Sequence, residues 1–329
     1  MIISNELIVT MQLIRGLGPV ALNKICEFVS NLSGVSLTLG ELFDIIEEMV
    51  AHKKLSRFSM PEFDDFQTAN RKAKDIISRS SDMGIGVVSR YAEEFPKNLL
   101  GTVTEDGKPS VPTILYYRGN LSVTRKPALA IIGTRNPTEA GKTAGQYYAR
   151  AFASIGINIV SGLALGCDTA GHLGALNAGG ATTAFLAHGL DSVYPQENKN
   201  LAEDIVSRGG LLLSEYPIGT QVNRYNLVAR DRLQAGLSDA TLVVQTGEKG
   251  GTMHAVKATF AARKQVFVID YSTDQGEKTT GNTMLKRQGA KGLRINSDEI
   301  IGNPEKYILS ICGASKVDNR ENSFQETLF

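Results

Sequence analysis

The sequence predicts an α/β chain built on a doubly wound, mostly parallel sheet, and three observations predict it. Short apolar runs alternate with helix-patterned segments long enough to serve as parallel crossovers. The runs are continuously apolar, as Thr241-Leu242-Val243-Val244 is, which marks strands covered on both faces. Several of them stop at a glycine-bearing polar loop that opens the next helix.

The pattern is clearest from Ala128 to Ala178. The run Ala128–Ile132 stops at Gly133, and a polar turn (Thr134–Thr138) follows. Tyr147, Tyr148, Ala151, Phe152 and Ile155 then recur at helical spacing, Gly156 ends that helix, and Ile157–Val160 forms the next strand. It stops at Ser161-Gly162, before a further helix. In such a sheet both loops lie at the carboxyl ends of neighbouring strands, where ligands bind.

Elsewhere the chain reads as follows. Residues from about Ser4 to Ser80 are helical, with Ser56–Phe66 a looser connection and Thr68–Met83 a basic helix. Gly86-Val87-Val88 and Thr113–Gly119 are strands. Then come strand Ala181–Ala187, helix Lys199–Arg208, strand Gly210–Leu213, helix Arg224–Leu237 and strand Ala240–Gln245. Helix Thr252–Arg263, strand Gln265–Ile269, helix Gly281–Gln288 and strand Gly292–Ile295 complete the alternation. Gly313–Thr327 is polar with little to bury, so this tail is expected to be disordered. The resulting domain plan is a helical unit over 1–82, a sheet unit over 83–302 and a tail over 303–329.

The bulk numbers exclude several classes. With 329 residues, 42% of them hydrophobic, the chain can bury a sizeable core. A net charge of +1 rules out a globally basic nucleic-acid binder, so any such binding needs a local patch. Three scattered cysteines (Cys26, Cys167, Cys312) support neither a disulfide framework nor a zinc site and fit a reduced cytoplasm. The N-terminus has neither the basic start nor the apolar core of a signal peptide, and no run reaches the length of a membrane span.

Three loops are built for an anion. Gly133-Thr134-Arg135 and Ser161-Gly162 each precede a helix, as does Thr246-Gly247-Glu248-Lys249-Gly250-Gly251-Thr252. Glycines permit close approach, and helix N-termini present free N–H groups to phosphate. Asp168 is of the type that caps a helix start. The helix from Arg224 adds Arg230 and Arg232, whose planar forks suit phosphate. The alternative is ordinary tight turns, a simple cap and a solvated charged face. Gly141-Lys142-Thr143 falls inside a helix and is no P-loop. No catalytic set, cofactor fingerprint or metal cluster is present; His172 fits a hydrogen-bonded buried side chain better than a base. Gly16-Leu17-Gly18 between two helices is either a helix-hairpin-helix turn for a DNA phosphate or a hairpin that only packs.

The segments FPKNLLG, ILYYRGN, AIIGTRNPTEAG, IVSGLALGCDTAGHLGAL, GLDSVYPQENKNLAE, GLLLSEYPIGT, RDRLQAGLSDATLVVQ and QVFVID, in unbroken order over roughly Val87–Asp270, resemble the DNA-processing protein A (DprA/Smf) family. The resemblance implies a Rossmann-like domain behind an N-terminal helical domain. It also implies a cytoplasmic, non-enzymatic homodimer that binds single-stranded DNA and loads a RecA-type recombinase in DNA uptake and recombination. By position, Gly133, Thr134 and Arg135 match the family's first loop, and Ser161, Gly162, Asp168 and His172 its second. Arg230 and Arg232 match the ends of an arginine-asparagine-arginine segment, the DNA-phosphate contacts; Asp231 replaces the asparagine. Gly250-Gly251-Thr252 replaces a serine-glycine-serine turn; Lys249 in that loop and Arg224 at the start of the arginine helix are further phosphate contacts expected from their positions in the chain rather than from the resemblance. Gly250-Gly251-Thr252 also resembles part of the phosphoribohydrolase motif, but Ala255 stands where that motif's glutamate would be. The alternative reading is accordingly a nucleotide-ligand sensor or nucleotide N-glycosidic hydrolase, of the kind used in phage defence. The terminal Gln325-Glu326-Thr327-Leu328-Phe329 resembles the sliding-clamp-binding pentapeptide, with Gln325 hydrogen-bonding and Leu328-Phe329 filling an apolar pocket.

Overall fold

The structure is a computed structural model that describes residues 3–32, 36–55, 58–271 and 276–294. The tail expectation and the sites at Gln325, Leu328 and Phe329 lie outside the described residues, as does Cys312.

Four helices come first: α1 (Asn5–Leu13), α2 (Pro19–Ser30), α3 (Leu39–Ala51) and α4 (Phe63–Asp82). Local chemistry fixes their starts. Ser4 accepts from the Leu7 N–H at α1, and Thr38 and Glu41 form a reciprocal capping box at α3. The connection expected over Ser56–Phe66 is shorter than the sequence reading: α4 already begins at Phe63. Asp64 and Asp65 in its first turn favour the positive end of the helix dipole, a cue the apolar periodicity does not carry.

The sheet follows. Its strands are β1 (Gly86–Ser89), β2 (Ile114–Gly119), β3 (Ala128–Ile132), β4 (Asn158–Ser161), β5 (Thr182–Leu186), β6 (Leu211–Ser214), β7 (Ala240–Val243), β8 (Gln265–Ile269) and β9 (Lys291–Leu293). The helices between them are α5 (Glu139–Ser154), α6 (Cys167–Asn177), α7 (Lys199–Ser207), α8 (Arg224–Leu237), α9 (Thr252–Ala261) and α10 (Thr280–Arg287). In space the order is β1-β2-β6-β5-β4-β3-β7-β8-β9. From β6 to β9 every pairing is parallel, while β1 and β2 add an antiparallel edge. The doubly wound fold is as expected. β3 is the switch point: the chain winds through β4, β5 and β6 on one side and through β7, β8 and β9 on the other.

Alternate residues of the central strands feed two different layers. Leu129 and Ile131 pack with Tyr148 and Phe152 of α5, while Ala130 and Ile132 pack with Val256 and neighbours on α9. The N-terminal helices share an apolar cluster with the sheet edge, joining Leu7, Ile46 and Phe66 to Ile114, Tyr116 and Leu186. Polar ties reinforce that junction: Asn5 Nδ2 donates to the Val87 carbonyl at 2.9 Å, and the Tyr116 hydroxyl to Gln12 Oε1 at 3.0 Å.

Helices α5 and α6 meet through small residues. A side chain at Gly174 would collide with the Gln146 carbonyl oxygen and stand 2.7 Å from the Ala149 methyl. Two effects oppose each other in Gly174→Ala. Alanine gains roughly 1 kcal/mol of helix propensity, and overpacking against backbone costs roughly 1–3 kcal/mol. Overpacking wins, so Gly174→Ala is expected to lower the denaturation midpoint; a raised midpoint would show that the two helices are not in close contact.

Candidate nucleic-acid interface

Three of the predicted loops converge on one pocket of about 350 Å³ at the carboxyl end of the sheet, beside the switch point. Gly133, Thr134 and Arg135 come from the loop after β3, and Ala164 and Asp168 from the region after β4. Thr246, Gly247, Lys249, Gly250 and Gly251 come from the loop after β7, and Arg230, Asp231 and Gln234 from α8.

The β3 and β7 loops brace each other. The Thr134 N–H donates to the Gln245 carbonyl at 2.7 Å. The Gln245 side chain in turn accepts from the Thr138 N–H and donates to the Thr138 hydroxyl, both at 2.8 Å, pinning the start of α5. Asn282 Oδ1 accepts from the Thr246 N–H at 3.0 Å while its amide donates to the Val244 and Ile269 carbonyls. Neither Gln245 nor Asn282 was singled out from sequence. The only signal was a polar residue ending an apolar strand or opening a short helix.

Several expectations about individual residues change. Asp168 does not cap its own helix: α6 begins at Cys167 with Gly166 at the cap position. Asp168 Oδ2 instead accepts from the Gly162 and Ala164 N–H groups, at 3.1 and 3.2 Å, and closes the β4 loop from inside. Gly133 and Gly162 are glycines because of internal packing. A Cβ at Gly133 would stand 2.6 Å from Cys167 Sγ and 2.7 Å from the Gln245 carbonyl, and one at Gly162 would strike the Arg230 guanidinium. Gly166 needs its left-handed φ of +82°, and a Cβ there would lie 2.5 Å from the Thr134 carbonyl oxygen. Only Gly250 and Gly251 leave open space, Gly250 with φ +135°.

Ser161 and His172 are fully buried and do not line the pocket. Ser161 donates to the Ile131 carbonyl at 2.6 Å. The Thr182 hydroxyl donates to the Ile159 carbonyl, so its oxygen accepts from His172 Nδ1 at 2.7 Å, leaving Nε2 unprotonated. Burial, aided by Arg230, pushes the His172 pKa down to about 3, so this imidazole is neutral and offers a phosphate no charge.

The two arginines of α8 part company. Arg230 is 5% exposed and forms the pocket floor, donating through Nη1 to the Gly162 and Phe185 carbonyls and through Nε to Asp231 Oδ1 at 3.0 Å. Arg232 turns into a separate cavity of about 550 Å³ between the sheet edge and α1–α2. There it grips Glu215 in a two-pronged ion pair, at 2.8 and 2.7 Å, and Ser110 Oγ at 2.8 Å. Burial would lower its pKa, but Glu215 more than offsets that and the net shift is upward. Arg224 is exposed at the start of α8 and does not line the pocket.

The rim is cationic and the floor is mixed. Arg135 and Lys249 are exposed and have no ion-pair partner among the described residues. Helix α9 starts at Thr252, so the partial positive charge of its first turn stands at the same rim, although the Met253 and His254 N–H groups already donate to the Gly250 and Gly251 carbonyls at 3.2 and 3.0 Å. Beneath them, burial pushes the Asp168 carboxyl above the usual carboxylate range, with Arg230 opposing. Burial likewise pushes Asp231 up to about 6, against the pull of Arg230 and with Asp168 adding to the rise. Among the described residues no group of His, Cys, Asp and Glu could hold a metal ion, and no helix is long and apolar enough to cross a membrane.

A pocket built from loops at the switch point of a doubly wound sheet is where open α/β sheets bind their ligands. The comparisons give the family. The DNA recombination-mediator protein A family model matches residues 86–303, and the chain belongs to that family. Protein Smf of Synechocystis is 32% identical over 306 residues, covering 91% of this chain and 70% of the relative. DNA processing protein DprA of Bacillus subtilis is 32% identical over 238 residues, 72% of this chain and 77% of the relative. The X-ray structure of DNA processing protein A from Streptococcus pneumoniae matches with a TM-score of 0.73 at 27% identity, covering 92% of this chain and 98% of that one. DNA processing protein A from Helicobacter pylori, solved for its single-stranded DNA binding mode, matches with a TM-score of 0.57 at 28% identity over 68% of this chain and 96% of that one.

Floor and rim separate by substitution. Arg230→Ala strands buried carbonyls, the buried Asp168 and the half-buried Asp231, and is expected to cost roughly 3–5 kcal/mol of stability. Arg135→Ala, an exposed change, is expected to stay within about 0.5 kcal/mol. Chemical denaturation of the two variants checks this, and equal losses would contradict the division.

Proposed function

We propose that this chain is a single-stranded DNA-binding protein that holds its ligand without turning it over. The observation that carries the reading is the rim: Arg135, Lys249 and the first turn of α9 around one pocket, with no ion-pair partner for either cation among the described residues. The pocket volume lies near the lower end of the roughly 300–1,000 Å³ typical of small-ligand sites. It suits one nucleotide unit of a flexible strand and is too small for a duplex. Tyr225, 86% exposed beside Asn223 and Arg224, offers a ring on which a base stacks. Among the N-terminal helices, Gly16 (φ +90°) and the start of α2 at Gly18-Pro19, which has no side-chain cap, stand beside Lys24 and Lys54, a second place for a backbone phosphate.

Family membership supports a role in DNA processing and recombination, with loading of a RecA-type recombinase and a homodimeric state as the finer parts of the proposal. Against hydrolysis of a nucleotide, Ala255 lines the pocket where the hydrolase motif would supply glutamate.

Titration of the full chain with oligo-dT, duplex and mononucleotides at two salt concentrations tests the reading. Oligo-dT is expected to bind tightest, with log K falling by about 0.7 per phosphate engaged for each log unit of salt. Equal affinity for duplex, or release of base from a nucleoside monophosphate seen by mass spectrometry, would contradict it.

A further inference from the structure

Arg230 has one nitrogen to spare. Its Nη1 donates to the Gly162 and Phe185 carbonyls, and its Nε to Asp231 Oδ1. Nη2 takes no acceptor among the described residues and still keeps accessible surface. The residue is 5% exposed, and what it exposes belongs to the pocket that it lines. A buried guanidinium N–H group without an acceptor is costly, and an anion is the group that best satisfies it. A second set of donors stands in the same pocket, independent of the first. The backbone N–H groups of Lys249, Gly250, Gly251 and Thr252 take no acceptor among the described residues, and all four residues line the pocket. Successive free N–H groups leading into a helix start form an anion cradle. There is room above it: a Cβ at Gly250 or at Gly251 would meet nothing within 4 Å.

Charge and shape separate the end of a strand from its interior. Among the lining residues Arg135, Arg230 and Lys249 outnumber the carboxylates Asp168 and Asp231. Both carboxylates are already engaged, Asp168 by the Gly162 and Ala164 N–H groups and Asp231 by Arg230 and Gln234. An internal phosphodiester carries a single negative charge, and the chain must lead both into and out of any pocket that holds it. A terminal phosphomonoester carries about −1.5 to −2 at pH 7, and its chain needs only one way in. Such a group can descend to a donor on the floor while the strand leaves over the rim. Resting on the single-strand reading above, we propose that this pocket seats the terminal phosphate of a DNA strand. Arg230 Nη2 and the N–H groups before α9 are its donors, and Arg135 and Lys249 hold the phosphodiesters that follow. The protein then binds single strands anywhere through its rim and holds phosphorylated ends more tightly through its floor.

The test uses the full chain and internally labelled twelve-nucleotide dT strands that carry hydroxyls at both ends, a 5′-phosphate or a 3′-phosphate. A phosphorylated strand is expected to bind about tenfold tighter than the hydroxyl strand, and the end that gives the gain sets the polarity. Thymidine 5′-monophosphate as competitor is expected to remove the gain, and thymidine to leave it. Gly251→Asp puts a carboxylate in the cradle at a position with φ −59° and open space, and aspartate suits a helix start, so the fold is kept. This variant is expected to lose the gain, while Gly251→Asn, of the same shape without the charge, retains most of it. Equal affinity of the wild-type chain for all three strands would overturn the terminal-phosphate assignment and leave single-strand binding intact. So would a gain that survives Gly251→Asp. Binding of thymidine 5′-monophosphate with no binding of any strand would remove the single-strand reading and leave the seat to free nucleotides.

Discussion

The site depends on one buried cation. The Arg230 guanidinium lies beneath Gly162, in space that only a glycine leaves open, and donates to carbonyls at the ends of β4 and β5. A charge so buried is tolerable only when paired and hydrogen-bonded. Asp231 supplies the contact and Asp168 a second negative charge nearby. Because Asp168 also holds the Gly162 and Ala164 N–H groups, the same network shapes the β4 loop. Arg230 is thus a structural cation that builds the floor, and its position leaves Arg135 and Lys249 as the charges available at the rim.

That division explains how a chain of net charge +1 can serve a polyanion. The positive potential needed for phosphate is local, made by two exposed side chains and a helix start. The negative charges of Asp168 and Asp231 line the same pocket beside the buried Arg230. Gln245 and Asn282 keep the loops in place without touching the rim, so the pocket exists before a ligand arrives. Preorganised loops spare a ligand the entropy of ordering them.

Much of this was legible in the sequence, and the misses share a cause. Apolar runs ended by glycine located the strands, and their alternation with helices fixed the sheet. The loops after β3, β4 and β7 were recognisable as neighbours because a doubly wound sheet places them so. What spacing could not tell was where each side chain turns. Arg230 and Arg232 are two residues apart on a helix, about 200° around its axis, so they cannot face one pocket; Arg232 was bound to meet Glu215 or some other partner elsewhere. Asp168 has the residue type of a cap, yet its hydrogen bonds run backward into the preceding loop. The partners of Gln245 and Asn282 are distant in sequence, so their roles needed the folded chain.

The central claim is that Arg135 and Lys249, and not the arginines of α8, carry the electrostatic part of single-strand binding. Its most direct measurement is the salt dependence of oligo-dT affinity for Arg135→Ala/Lys249→Ala against wild type. If each side chain engages one phosphate, the slope of log K against log salt should become shallower by about 1.4, with the fold unchanged. An unaltered slope and affinity in a folded double variant would contradict the account.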